Sequence, residues 1–151
     1  MNRDAVVPPR RQVGGSFRIT TAQDDPLLLE WLPRFDADAG LPADRDPVRS
    51  IDRRRRPGGG FWLWEDGGPT CLVGHTPLLC GVPRIGPVFT PRSARGQGYA
   101  QALTAAVCSA LLARGAEAVT LFADAANPAS NAAYLAIGFR PVGEIVEIAF
   151  T

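Results

Sequence analysis

Hydrophobic positions along the chain fall into two periods, and the change between them divides it into elements. After Asp24, with Pro26 in the first turn, Leu28, Leu29, Leu32 and Phe35 recur at helical spacing and predict a helix to about Ala39. A shorter helix is predicted over Pro47 to Arg55, ended by Pro57-Gly58-Gly59-Gly60. The period then shortens. Phe61 to Glu65, the turn Asp66-Gly67-Gly68 and Thr70 to Val73 read as a β-hairpin, and Pro83 to Thr90 as a further strand. Ala100 to Arg114 carries Leu103, Ala106, Val107, Ala110 and Leu111 on one face, with Gly115 placed to stop the helix. Glu117 to Ala123 is an apolar run of strand length. Pro128 to Ile137, opened by Asn127 and closed by Gly138, reads as a last helix, and Arg140 to Phe150 as a final strand.

With Phe17 to Ile19 as a short first strand, the order is β-α-α-β-β-β-α-β-α-β. A central hairpin among crossover helices requires a mixed sheet, hence an α/β fold with helices flanking that sheet. The 151 residues fit one domain. Residues 1–16, punctuated by Pro8, Pro9, Gly14 and Gly15, read as a tail or linker, and residues 17–151 as the single domain.

Composition removes several chemistries. Sixteen basic residues balance fifteen acidic ones, which argues against a nucleic-acid partner. All sixteen are arginine, so a Walker A loop, a Schiff-base lysine and a lysine general base are excluded from this chain. His75 is the only histidine, which excludes a multi-histidine zinc site, and no metal is expected. Three cysteines without Cys-x-x-Cys spacing suit a reduced, cytoplasmic protein. Residues 1–11 hold charges and two prolines where an export signal needs an apolar run. No apolar stretch approaches the roughly 20 residues that span a bilayer, so no membrane partner is expected.

The informative stretch is a strand, a glycine-rich turn and the strongest helix. Arg95-Gly96-Gln97-Gly98-Tyr99-Ala100 places two glycines at a helix start, where free amides and the helix dipole favour a phosphate, and Arg95 adds a forked cation. A dinucleotide fingerprint needs a third glycine where Gln101 stands. Just upstream, Gly86-Pro87 predicts a bulge that frees main-chain N–H groups near Val88 and Phe89. Such amides can bind an extended amide ligand or polarise a carbonyl.

These residues resemble the GNAT superfamily of acetyl-CoA-dependent N-acyltransferases. The Arg95 to Ala100 segment matches the family's Gln/Arg-x-x-Gly-x-Gly/Ala loop, and Asn127, Ser130, Tyr134, Gly138 and Phe139 match a second family motif. The resemblance spans roughly residues 17–150. It implies the GNAT fold, acetyl-CoA as co-substrate, and a primary amine in a small molecule or peptide as acceptor, attacking the thioester directly in a ternary complex. It implies that amides of Arg95, Gly96, Gln97, Gly98, Tyr99 and Ala100 hold the CoA pyrophosphate. Strands Ile85–Thr90 and Glu117–Ala123 would splay around the pantetheine arm, bringing Val88, Phe89 and Thr90 to it. Asn127 would bond that arm, Asn131 would lie near it, and Tyr134 would protonate the departing thiolate.

Other readings stand beside these. Asn127 is also a plain helix cap, and Tyr134 a rim aromatic of the core. His75, the sole group titrating near neutrality, is a candidate base or a hydrogen-bonded structural residue, with Glu65 and Asp66 as competing bases. Trp62 and Trp64 share one sheet face. Arg53 to Arg56 radiate around a helix end, which favours solvation over a binding patch. A non-catalytic acyl-CoA-binding or scaffolding domain is the rival from another class. The Pro8-Pro9-Arg10-Arg11 tail and the aromatic hairpin also look like the C-terminal half of longer tandem acetyltransferases, so an upstream domain or a homodimer is possible.

Overall fold

The computed structural model describes Met1, residues 5–146 and Ile148. Its strands are β1 Ser16–Ile19, β2 Gly60–Glu65, β3 Pro69–His75, β4 Arg84–Phe89 and β5 Thr120–Leu121; its helices are α1 Asp25–Asp38, α2 Pro47–Arg54, α3 Tyr99–Ala113 and α4 Pro128–Ala136. The strands form one sheet in the order β1-β2-β3-β4-β5. The first four pair antiparallel, and β5 joins β4 in parallel after the α3 crossover. The sheet is therefore mixed, as the element order requires.

Both faces of the central strands are covered, which explains why they read as apolar runs rather than alternating ones. Phe61, Leu63, Leu72 and Phe89 point to α1 and α2, against Leu28, Trp31, Leu32 and Ile51. Trp62, Cys71, Val73 and Ile85 point the other way, against Leu103, Val107 and Leu111 of α3 and against Ile137 and Phe139 after α4. Full burial of each such aliphatic side chain is worth about 1.5–3 kcal/mol before the entropy of ordering is set against it. This two-sided core fixes β4 in the middle of the molecule, and the site is built on it.

Two expected strands are corrected. The run expected over 117–123 pairs only at Thr120 and Leu121, because its neighbour β4 stops offering a ladder at Gly86 and Pro87. Proline has no N–H to give, and Gly86 takes a φ of 141°. The strand expected over 140–150 does not form in residues 140–146, whose side chains are exposed; residues 147, 149 and 150 lie outside the described set.

The expected tail is also more than a linker in its described part. Met1 and Val119 exchange main-chain hydrogen bonds of 2.9 and 2.7 Å, and Val7 donates to the Ile137 carbonyl at 3.0 Å. Trp64 Nε1 donates to the Gly14 carbonyl at 2.8 Å, and Val6 and Val13 pack on the α3 core. Among the described residues no helix is long and apolar enough to cross a membrane.

Candidate active site

Strands β4 and β5 part company immediately after Ile85. Their register holds Arg84 against Thr120 and Ile85 against Leu121, with no pairing beyond among the described residues. On its other edge β4 stays paired with β3, Val88 opposite Val73 and Phe89 opposite Leu72. In an antiparallel ladder alternate amides point away from the partner strand, so this half of β4 turns main-chain N–H groups toward the gap. The bulge predicted from Gly86-Pro87 is present as a register shift between Val73 and His75 on the facing strand. Val88 faces the α3 side and Phe89 the α1 side.

The glycine-rich turn leads from β4 into the start of α3. Gly96 and Gly98 adopt φ of 76° and 93°, a left-handed backbone that other residues take up at a cost. Gly98 is the N-cap of α3 and brings no side chain to its first turn, so the amides of that turn stay available at the positive end of the helix dipole. Beside Gly96 there is open space, whereas a Cβ on Gly98 would meet Val13 Cγ1 at 3.3 Å and Arg11 Cδ at 3.4 Å. This is a cradle suited to a diphosphate.

Two side chains behave differently from the sequence reading. Arg95 is not a free donor over the loop: its Nη2 pairs with Asp38 at 2.6 Å and its Nε donates to the Thr90 carbonyl at 2.8 Å, holding the turn against α1. The tail brings Arg11 there instead, its Nη1 donating to the Gly96 carbonyl at 3.0 Å. Nothing in the local sequence announces that contact, since the two residues are 85 positions apart. Tyr99 buries its ring in the core and donates its hydroxyl to Asp66 Oδ2 at 2.6 Å, tying the loop to the hairpin tip. That bond is the first cause of an upward shift in the Tyr99 pKa, and it occupies one of the competing base candidates.

On α4, Asn127 caps the helix, its Oδ1 accepting from the Ser130 amide at 3.1 Å. Asn131 donates to the Asp124 carbonyl at 2.9 Å and closes the turn before the helix. Tyr134 lies edge-on to Phe139 with ring centroids 6.1 Å apart, and Gln101 ties the two helices by donating to the Ala133 carbonyl at 3.3 Å. The Tyr134 hydroxyl makes no hydrogen bond among the described residues. Burial pushes its pKa up to about 12, and the Cys71 thiol on β3 adds to the rise. Cys71 itself, bonded by the Thr90 hydroxyl at 3.3 Å, is pushed by burial up to about 12.

His75 is not brought to this place. It sits at the far end of β3, opposite Ile85 and Gly60, where β4 and β5 are still joined. Only 2% of it is exposed, its Nδ1 lies 3.0 Å from the Thr76 carbonyl, and burial lowers its pKa. The ring is buried at the closed end of the cleft, tilted against Trp62 with centroids 6.5 Å apart. Glu65 is engaged by Arg18 at 3.1 Å. The arginine run diverges as a helix end should, with Arg53 and Arg56 exposed, Arg54 half-buried and Arg55 donating to the Thr21 carbonyl. Among the described residues no group of three or more His, Cys, Asp or Glu side chains is placed to hold a metal.

The family model described as acetyltransferase (GNAT) family matches residues 26–139, which include β4, the glycine loop, α3 and α4. No curated protein sequence matches the chain. Solved structures share the fold at low identity. An acetyltransferase of the GNAT family from Staphylococcus aureus Mu50 is 16% identical, with a TM-score of 0.71 over 86% of this chain and 87% of that one. A Clostridium acetobutylicum protein described as a predicted acetyltransferase, with acetyl-CoA, is 17% identical at a TM-score of 0.69, covering 89% and 95%. An aminoglycoside acetyltransferase from an uncultured soil metagenomic sample, in complex with sisomicin, is 12% identical at 0.71, covering 90% and 95%. The split between β4 and β5, the uncapped glycine start of α3 and the family match lead to one conclusion: this chain belongs to the GNAT acetyltransferase family.

Proposed function

We propose that this chain is an N-acetyltransferase that moves the acetyl group of acetyl-CoA to a primary amine by direct attack within a ternary complex. The observation that carries the reading is the convergence of three features: the β4 amides facing the gap beyond Ile85, the uncapped α3 start at Gly98, and the unbonded Tyr134 hydroxyl. Acetyl-CoA supplies the activated acyl group as a thioester. The amides from Gly96 to Ala100 hold its diphosphate, and the gap-side main-chain N–H of the Val88–Phe89 pair aligns the pantetheine arm and polarises the thioester carbonyl. Asn127 and Asn131 shape the far wall through the turn they close.

The amine lone pair attacks the carbonyl carbon, the C–S bond breaks with its electron pair on sulfur, and Tyr134 gives its hydroxyl proton to that sulfur. The nitrogen loses its extra proton to water, and the Tyr134 phenolate takes one back from water, restoring the acid. Burial, which pushes the Tyr134 pKa up to about 12, keeps the hydroxyl protonated and able to donate. No side-chain base is assigned, because His75 lies at the closed end of the cleft.

Thiol release from acetyl-CoA, followed with a panel of amines and with mass spectrometry of the products, tests the reading. Amine-dependent thiol release with an N-acetyl product supports it. Tight acetyl-CoA binding without transfer to any amine would make the chain a binding domain instead.

A further inference from the structure

A cavity of about 140 Å³ lies on the α1 side of β4, lined by Arg34, Ala37, Asp38, Phe89, Arg92 and Arg95. Phe89 forms its floor, only 3% exposed and tilted against Trp31 with centroids 5.5 Å apart. The same residue presents the β4 backbone where the thioester carbonyl is placed above. An acceptor in this cavity therefore lies against the strand that carries the thioester, on the face opposite α3.

The walls carry three guanidiniums against the single carboxylate of Asp38. Arg95 takes that carboxylate at 2.6 Å. Arg92 reaches it only at 4.0 Å, and its side chain is 83% exposed. Arg34 lies over the Phe89 ring with its guanidinium carbon 5.9 Å from the centroid, and its own acidic partner is Glu30 on the same helix at 3.2 Å. Exposed pairs of this kind contribute little, so both guanidiniums can turn to a ligand at small cost. A guanidinium fork matches a carboxylate in two parallel bonds. A polycationic amine would instead meet like charge.

Resting on the acetyl-transfer reading, we infer that the acceptor is an amine bearing a carboxylate, bound through Arg92 and Arg34 on the α1 side of β4. The same cations also suit the 3′-phosphate of CoA, and the test separates the two sources.

The experiment compares free amino acids with their carboxamides and with sisomicin in the thiol-release assay, for wild type, Arg92→Ala and Arg34→Ala. The inference expects at least a tenfold higher kcat/KM for carboxylate acceptors than for their amides. In both variants it expects that ratio to fall toward one, through acceptor KM, while acetyl-CoA KM stays within twofold. Equal use of acids and amides, turnover confined to sisomicin, or a rise in acetyl-CoA KM in place of acceptor KM overturns it. Calorimetry with acetyl-CoA runs alongside. If acetyl-CoA does not bind, the acetyl-transfer reading itself fails; if it binds and no carboxylate amine is acetylated, this inference alone fails.

Discussion

Arg11 donates from its Nη1 to the carbonyl of Gly96 at 3.0 Å, so the segment ahead of β1 places a cation on the glycine loop that prepares α3. The loop's own arginine, Arg95, is held by Asp38 and the Thr90 carbonyl. Arg11 thus brings to the proposed diphosphate cradle a guanidinium held by one exposed hydrogen bond. Arg11→Ala is expected to weaken acetyl-CoA binding several-fold, up to about tenfold, the scale of one exposed charge-assisted hydrogen bond. Because the contact is exposed, raising salt should narrow the gap between wild type and variant. Calorimetric titrations at two ionic strengths check both statements, and equal affinities at low salt would remove Arg11 from the site.

Tyr134 is expected to matter to turnover and not to cofactor affinity. Removing a positioned general acid costs about 10²-fold or more. Tyr134→Phe keeps the ring against Phe139 and deletes only the hydroxyl, so kcat should fall on that scale while acetyl-CoA affinity stays near wild type. With a hydroxyl pKa of about 12, Tyr134 remains protonated through the alkaline range. The rate should therefore rise with pH as the acceptor amine loses its proton and show no fall from this residue up to pH 10. A thiol-release pH profile reads this out, and an alkaline decline near pH 9 that is absent from Tyr134→Phe would contradict it.

His75 is expected to act on stability. Its pKa is lowered from 6.5 in the folded chain by burial, so the unfolded chain takes up the proton first. The stability tied to its neutral form is complete above pH 6.5 and is lost as pH falls below it. Denaturant unfolding between pH 8 and 5 should show this decline, and His75→Gln should flatten it. Equal slopes in the two proteins would mean that other groups control the transition. Acetyl transfer should not require the ring, so the folded variant should retain most of its kcat.

The bond between Tyr99 and Asp66 anchors the loop to the hairpin. Tyr99→Phe deletes one hydrogen bond without changing the buried ring, and the midpoint of chemical unfolding is expected to fall. Acetyl-CoA affinity should fall modestly as the start of α3 loosens. Unchanged stability would show that the ring alone holds the loop.

What could be read from the chain, and what could not, follows from sequence separation. Helices α3 and α4 announce themselves because Leu103, Val107 and Leu111 repeat locally, and because Asn127, Pro128 and Gly138 mark their own boundary within a few residues. The glycine loop is local for the same reason. Strand β5 is shorter than its apolar run predicts, since its length is set by a remote partner: Gly86 and Pro87 end the β4 pairing with it, and Phe122, though apolar, is left 64% exposed beneath Arg84. The burial of His75 depends on β2 and β4 closing around it. The tail has no period, and its anchors at Ile137, Gly96 and Trp64 are reached only in three dimensions. The arginine cavity joins α1 to the turn after β4, a pairing that neither segment shows alone.

The central claim, that the glycine loop at the start of α3 receives acetyl-CoA, is tested most directly by titrating the chain with acetyl-CoA beside the Gly98→Trp variant. Gly98 holds a φ of 93° with Arg11 and Val13 packed against it, so an indole there fills the cradle and displaces the tail. The account predicts saturable one-to-one binding by the wild type and its loss in a variant that still unfolds cooperatively. Undiminished binding by the folded variant, or none by the folded wild type, would contradict it.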